Sequence, residues 1–179
     1  SRLPMRILYM KSDFFYFLIY YVFRYRKQVV LDNLKLAFPE KPEVELLRIR
    51  KKVFKHLMDL MVESVKAFSI SEKEILKRYT YSNPELVNKY AAEGRSIALM
   101  GAHQSNWEWS ISLPKVLNID MYGAYTKLNN TYYEKAVRDS REKFGVIGYK
   151  TSEMVRGMQK RFSKKQQGAY LLLSDQSHK

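Results

Sequence analysis

His103 lies five residues before Glu108 in the segment Gly101-Ala102-His103-Gln104-Ser105-Asn106-Trp107-Glu108. A hydroxyl attacking an activated acyl group must lose its proton, and imidazole is the side chain best poised to take it near neutral pH. A carboxylate on the other ring nitrogen fixes the tautomer and stabilises the imidazolium, as in the base-and-orienter half of a serine-hydrolase triad. If the attacking hydroxyl belongs to the substrate, no enzyme nucleophile is needed and no covalent acyl-enzyme forms. The spacing alone has a plainer explanation. A satisfied loop histidine and a first-turn glutamate favoured by the helix dipole produce it equally well.

The surrounding pattern places the histidine in a turn. Residues 96–100 (Ser-Ile-Ala-Leu-Met) read as a short buried strand and a helix can begin at Asn106, which leaves His103 between them. Turns at the carboxyl ends of strands in open α/β sheets are where ligands usually bind. Upstream, Leu46, Leu47, Val53, Phe54, Leu57, Met61, Val65 and Phe68 recur at helical spacing and predict one long helix over 42–68. Ser71 and Glu74 form a capping-box pattern. Asn83-Pro84 opens a helix over 85–93 that Gly94 closes. Downstream, strand patterns at 119–125, 146–149 and 169–174 alternate with helical patterns at 130–144 and 152–162. This alternation predicts an α/β fold, a largely parallel central sheet flanked by helices.

Composition narrows the partners. A chain of 179 residues with 46% apolar content can bury one domain's core. Its formal net charge of +14 calls for an anionic partner such as nucleic acid, an anionic membrane or an acidic protein. There is no cysteine, so disulfides, thiol nucleophiles and thiolate metal sites are excluded. His56, His103 and His178 are far apart without metal-ligand spacing, and neither a metal nor another cofactor is expected. The basic residues are spread along the chain and no nucleic-acid recognition motif accompanies them, which argues against a nucleic-acid-binding module.

The N-terminal stretch is unusually aromatic. Residues 14–23 (Phe-Phe-Tyr-Phe-Leu-Ile-Tyr-Tyr-Val-Phe) are followed by Arg24, Arg26 and Lys27. The run is too short, and with Arg6, Lys11 and Asp13 too interrupted, for a membrane-spanning helix. Tyr and Phe beside Arg and Lys fit a segment lying at the headgroup boundary, and a buried core helix is the alternative. No small-residue cleavage site follows, which argues against a secretory signal.

Five segments in order carry a resemblance. They are Arg26 with Asn33-Leu34 and Ala37-Phe38-Pro39; the long helix containing Glu63 and Lys66; Gly-x-His-x-x-Asn-Trp-Glu at 101–108; Tyr125-Thr126-Lys127 with Arg-Asp-Ser-Arg-Glu-Lys-Phe-Gly at 138–145; and Leu-Leu-Leu-Ser-Asp-Gln at 171–176. Together they resemble the lipid A biosynthesis acyltransferases, a branch of the glycerolipid (lysophospholipid-acyltransferase-like) superfamily with its His-x4-Asp/Glu motif.

The resemblance implies an O-acyltransferase whose base is His103, oriented and charge-balanced by Glu108. Arg141 would contact the acyl carbonyl or a substrate phosphate, where a planar cation stabilises negative charge; standing alone, that helix face reads as solvated. Asp175 and Gln176 would lie beside the pocket, although a turn-initiating Asp explains the first equally. Asn106 and Lys127 are further candidates for substrate contact. The implied donor is an acyl thioester of acyl carrier protein or coenzyme A, and the implied acceptor is an anionic glycolipid at the cytoplasmic face of the bacterial inner membrane. Other lysolipid or aminolipid acceptors stay open, as does a non-catalytic basic peripheral membrane protein.

Residues 1–30 are expected to form a membrane-associating segment and residues 31–179 the acyltransferase domain. Gln104 departs from the apolar or aromatic residue the family often has. The family continues past the Asp-Gln strand and its anchor begins earlier, so the chain is expected to be a fragment.

Overall fold

The computed structural model describes residues 3–126 and 129–175, which group into two compact units, Ser1–Lys66 and Ala67–Lys179. The first unit is helical: α1 (Met5–Phe17), α2 (Lys27–Ala37) and most of α3 (Glu43–Ala67). Polar side chains tie α1 to α3 in antiparallel register. Tyr9 donates to Glu63 Oε1 (2.6 Å), Ser12 Oγ to Asp59 Oδ1 (2.6 Å), and Lys66 Nζ to the Leu3 carbonyl (3.0 Å). Hydrogen bonds to a carboxylate are stronger than neutral ones, so this seam fixes which face of α1 turns inward. The opposite face leaves Met10, Phe14 and Phe17 exposed, and Tyr21 and Phe23 beyond the helix are exposed as well.

The aromatic run 14–23 spans the end of α1 and a π-helical turn, Leu18–Val22, and stops at Arg24 and Arg26, which both adopt positive φ. Tyr20 is the residue of that turn that goes inward, at 2% exposure. It packs edge-on against Phe54, accepts a hydrogen bond from Arg50 Nε (3.3 Å), and carries Lys27 Nζ 4.1 Å above its ring. No helix among the described residues is long and apolar enough to cross a membrane.

The second unit carries the sheet. Strands β1 (Ile97–Gly101), β2 (Met121–Tyr125), β3 (Val146–Lys150) and β4 (Ala169–Leu173) are all parallel, in the order β1-β4-β2-β3. Helices α4 (Glu72–Arg78), α5 (Pro84–Ala92), α6 (Thr131–Lys143) and α7 (Met154–Ser163) connect or flank them. This is the predicted α/β class, with strand limits within two residues of the pattern-based ones.

Local signals account for the helix limits. Ser71 Oγ accepts from the Glu74 N–H (3.2 Å) at the start of α4, and Pro84 stands in the first turn of α5. Gly94, at φ +83°, donates to Ala91 O while Arg95 N–H reaches Tyr90 O, the paired bonds of a Schellman C-cap. After Asn106 the expected helix is instead a run of 3₁₀ turns, Trp107–Val116, with Pro114 inside. Proline cannot donate the backbone bond that an α-helix needs there.

One sheet face is covered by α7. Tyr122, Tyr170 and Met154 form its buried centre, with Tyr149, Met158 and Leu172 around them. On the other face Gly101 meets β4 closely: a Cβ there would stand 2.9 Å from Leu173 Cδ2 and 3.5 Å from Leu171 Cδ1. A glycine at this position lets the end of β1 pair with β4 without pushing those leucines aside. Gly101→Val is therefore expected to destabilise the protein by about 1–3 kcal/mol through overpacking, read as a lower urea midpoint. An unchanged midpoint would show that Leu173 turns away freely.

Candidate active site

The ladder between β1 and β4 brings two distant segments together. Each pair in it, from Ile97↔Ala169 to Gly101↔Leu173, is offset by the same number of residues, and the Ser174 N–H to Gly101 O bond (3.1 Å) carries it past the strand ends. Extending that register brings His103 opposite Asp175. The His103 N–H donates to Asp175 Oδ2 (3.0 Å), and the ring Nδ1 bonds Asp175 Oδ1 (2.8 Å). One carboxylate thus holds both the backbone and the imidazole of a single residue. With Nδ1 engaged, Nε2 is the nitrogen left for a substrate proton.

The carboxylate of Asp175 is held below its usual range, first by the hydrogen bond to the His103 ring and further by the His103 N–H, with desolvation opposing. It therefore stays ionised where an ordinary aspartate begins to protonate.

Glu108 sits in the first 3₁₀ turn after the histidine loop and makes a different pair. Its Oε2 is 3.7 Å from Arg141 Nη2, with both side chains less than a third exposed. Arg141 comes from α6, which is anchored at two points to the segment running from the end of α3 toward α4. Ser140 Oγ donates to Ala67 O (3.2 Å) and Lys143 Nζ to Ile70 O (2.5 Å). Arg138 points into an ion pair with Glu142 on its own helix (3.8 Å), the solvated role that sequence alone gave that face.

The loop between these groups is tightly built. Ser105 adopts φ +51°, a left-handed conformation that non-glycine residues reach at a cost and that clusters at functional turns. Asn106 is buried at 8% exposure, and its carbonyl accepts the Trp109 N–H (3.1 Å). Ser112 Oγ, fully buried, donates to Trp109 O and is 2.9 Å from the Tyr81 hydroxyl. Burial pushes the Tyr81 phenol well up, so it remains a neutral hydrogen-bonding group. Trp107 lies against the His103 ring, centroids 4.9 Å apart and planes at 75°.

Of the residues singled out from sequence, His103 and Asp175 meet just past the carboxyl ends of β1 and β4, Asn106 and Glu108 follow in the next loop and 3₁₀ turn, and Arg141 of α6 pairs with Glu108. Lys127 and Gln176 fall outside the described residues. The pairing departs from the expected one in a single respect: the ring of His103 bonds Asp175, and Glu108 pairs with Arg141. The Trp107 contact had no counterpart in the sequence reading. Its signal was available, since a tryptophan four residues after a histidine across a tight turn returns to it.

The matched segments and this geometry converge with a direct comparison. Bacterial lipid A biosynthesis acyltransferases match the chain over residues 1–179. The chain belongs to that family. No curated protein matches it. In a lipid A biosynthesis acyltransferase the chemistry to be served is acyl transfer, and a histidine held by a carboxylate at a strand terminus suits that demand.

The lowered Asp175 carboxyl sets a pH signature. A carboxylate depressed in the folded state adds stability that is fully present above the unfolded aspartate value of about 3.9 and is lost as the pH falls through the folded value. Wild type is expected to melt above Asp175→Asn near neutral pH, with the gap closing below about pH 4. A gap undiminished in stronger acid would show that the His103 contact does not depend on ionised Asp175.

Proposed function

We propose that this protein transfers a fatty acyl group from an acyl thioester, carried by acyl carrier protein, to a hydroxyl of a glycolipid such as a lipid A precursor. The observation that carries the reading is the bidentate hold of Asp175 on His103, which commits Nδ1 and reserves Nε2 as base. The acceptor hydroxyl gives its proton to Nε2 as its oxygen attacks the thioester carbonyl. Asp175 stabilises the imidazolium that forms. The imidazolium then returns the proton to the departing thiolate, so no acyl-enzyme intervenes and His103 ends as it began.

Arg141 supplies the fixed cation for the oxyanion or for an acceptor phosphate, and Glu108 holds that guanidinium in place. A planar guanidinium can bind two oxygens at once, which suits either phosphate or a developing tetrahedral centre. The net charge of +14 suits both an acidic carrier protein and an anionic lipid surface. The exposed Phe14, Phe17 and Phe23, next to Arg24, Arg26 and Lys27, suit contact at the headgroup boundary. On this reading the protein works at the cytoplasmic face of the bacterial inner membrane.

Activity measured with an acyl thioester of acyl carrier protein and a lipid A precursor tests the chemistry. His103→Ala is expected to lower kcat by about 10²–10⁴-fold, the range of a positioned general base. Asp175→Asn should follow it closely, and Glu108→Gln should act more through KM. Wild-type rates in His103→Ala would sink the assignment.

The surface reading has its own check. Sedimentation with vesicles containing anionic phospholipid should pull the protein down at low salt and lose it progressively as salt screens the charge. Replacing Phe14, Phe17 and Phe23 by serine should weaken binding at every salt concentration. Equal binding to neutral vesicles, indifferent to salt, would remove the basic residues from the account.

A further inference from the structure

The hydrogen bonds from Asp175 set where His103 sits but leave its ring plane loosely determined. Histidine χ2 is a broad torsion, and a hydrogen bond keeps most of its strength over some tens of degrees. Proton abstraction is more demanding, because Nε2 must meet the acceptor hydroxyl along a short, aligned path. A second contact is needed to hold the plane, and the structure contains one.

We propose that Trp107 is the positioning residue that locks the imidazole plane of His103 during acyl transfer. The proposal rests on the reading of His103 as the base. The two rings are 4.9 Å apart at 75°, within the separation and angle of a favourable edge-to-face pair. That contact opposes rotation of the imidazole about χ2, the freedom that the bonds to Asp175 leave.

Several features hold Trp107 rigidly enough for this task. The left-handed turn at Ser105 folds the chain back on itself, so that Trp107 returns to the ring it follows by four residues. Buried Asn106 on one side and buried Trp109 on the other fix the backbone around it. The Tyr81–Ser112–Trp109 hydrogen bonds tie the 3₁₀ run to a neighbouring loop. Trp107 itself is only half-buried.

Steady-state kinetics with an acyl thioester of acyl carrier protein and a lipid A precursor provide the test. Trp107→Leu keeps apolar bulk and removes the aromatic face. It should lower kcat by up to about tenfold, the scale of one lost aromatic contact, and leave KM within about twofold of wild type. Trp107→Phe should recover most of the lost kcat, which a purely space-filling role would not predict. If Trp107→Leu fails to fold, Trp107→Met stands in under the same criteria.

Unchanged kcat in the non-aromatic variant overturns the proposal. So does a rise in KM with kcat intact, which would make Trp107 a substrate contact. His103→Ala separates the two levels. Loss of activity there with an unaffected Trp107→Leu removes the positioning role alone, whereas an active His103→Ala removes the assignment of the base.

Discussion

The constant offset of the β1–β4 ladder is the constraint on which the site depends. Parallel strands advance together, so whatever follows one strand lies beside whatever follows its neighbour. Because the register continues through Ser174 N–H to Gly101 O, His103 and Asp175 meet although 72 positions separate them. A slip of one residue would turn every side chain of β4 to the other face and carry Asp175 away from the imidazole. The register is in turn secured by Gly101, where a larger residue would crowd Leu173, and by burial of Ala169 and Tyr170 at the start of β4. Packing along the β1–β4 pair thus decides whether His103 and Asp175 meet.

The two carboxylates near the histidine loop have separate partners. Asp175 has a short side chain on a strand terminus, and both of its oxygens are committed to His103. Glu108 has a longer side chain on a 3₁₀ turn and reaches sideways to Arg141 of α6. The difference between the two carboxylates is visible in what each one faces. The histidine is left with a partner fixed by the sheet, and the arginine with a partner fixed by a loop.

Much of this was legible in the sequence, and the remainder has identifiable causes. Strands and helices of the second unit followed from apolar periodicity and from cap residues such as Ser71, Pro84 and Gly94, because those signals are local. The ordered motifs singled out His103, Asp175, Glu108 and Arg141, which the structure sets in two ion pairs. The partner of His103 did not follow from them, since strand order is a long-range property. Nothing in residues 97–101 or 169–173 says that these strands, first and last in the sheet region of the chain, are neighbours. The 3₁₀ character of Trp107–Val116 was also missed, although Pro114 announces an interrupted backbone ladder. In the first unit the aromatic run was visible, but the π-helical turn and the left-handed Arg24 and Arg26 were not. Such backbone choices depend on tertiary contacts, here the burial of Tyr20 beside Arg50, Lys27 and Phe54.

The histidine loop shows why strain and rigidity accompany each other here. Ser105 occupies a conformation that a β-carbon disfavours, and the loop keeps it because its flanks are over-determined. On one side the His103 N–H is bound by Asp175, and on the other Asn106 and Trp109 are buried while Ser112 is tied to Tyr81. A looser loop would relax Ser105 and let the chain take a wider turn. That wider turn would move Trp107 off the imidazole and shift Glu108 relative to Arg141. The left-handed residue is therefore what compresses His103, its aromatic neighbour and an arginine-holding carboxylate into six consecutive positions, from His103 to Glu108. Groups compressed in this way are positioned on folding and need no later reorganisation, which is the property the proposed proton transfer would draw on.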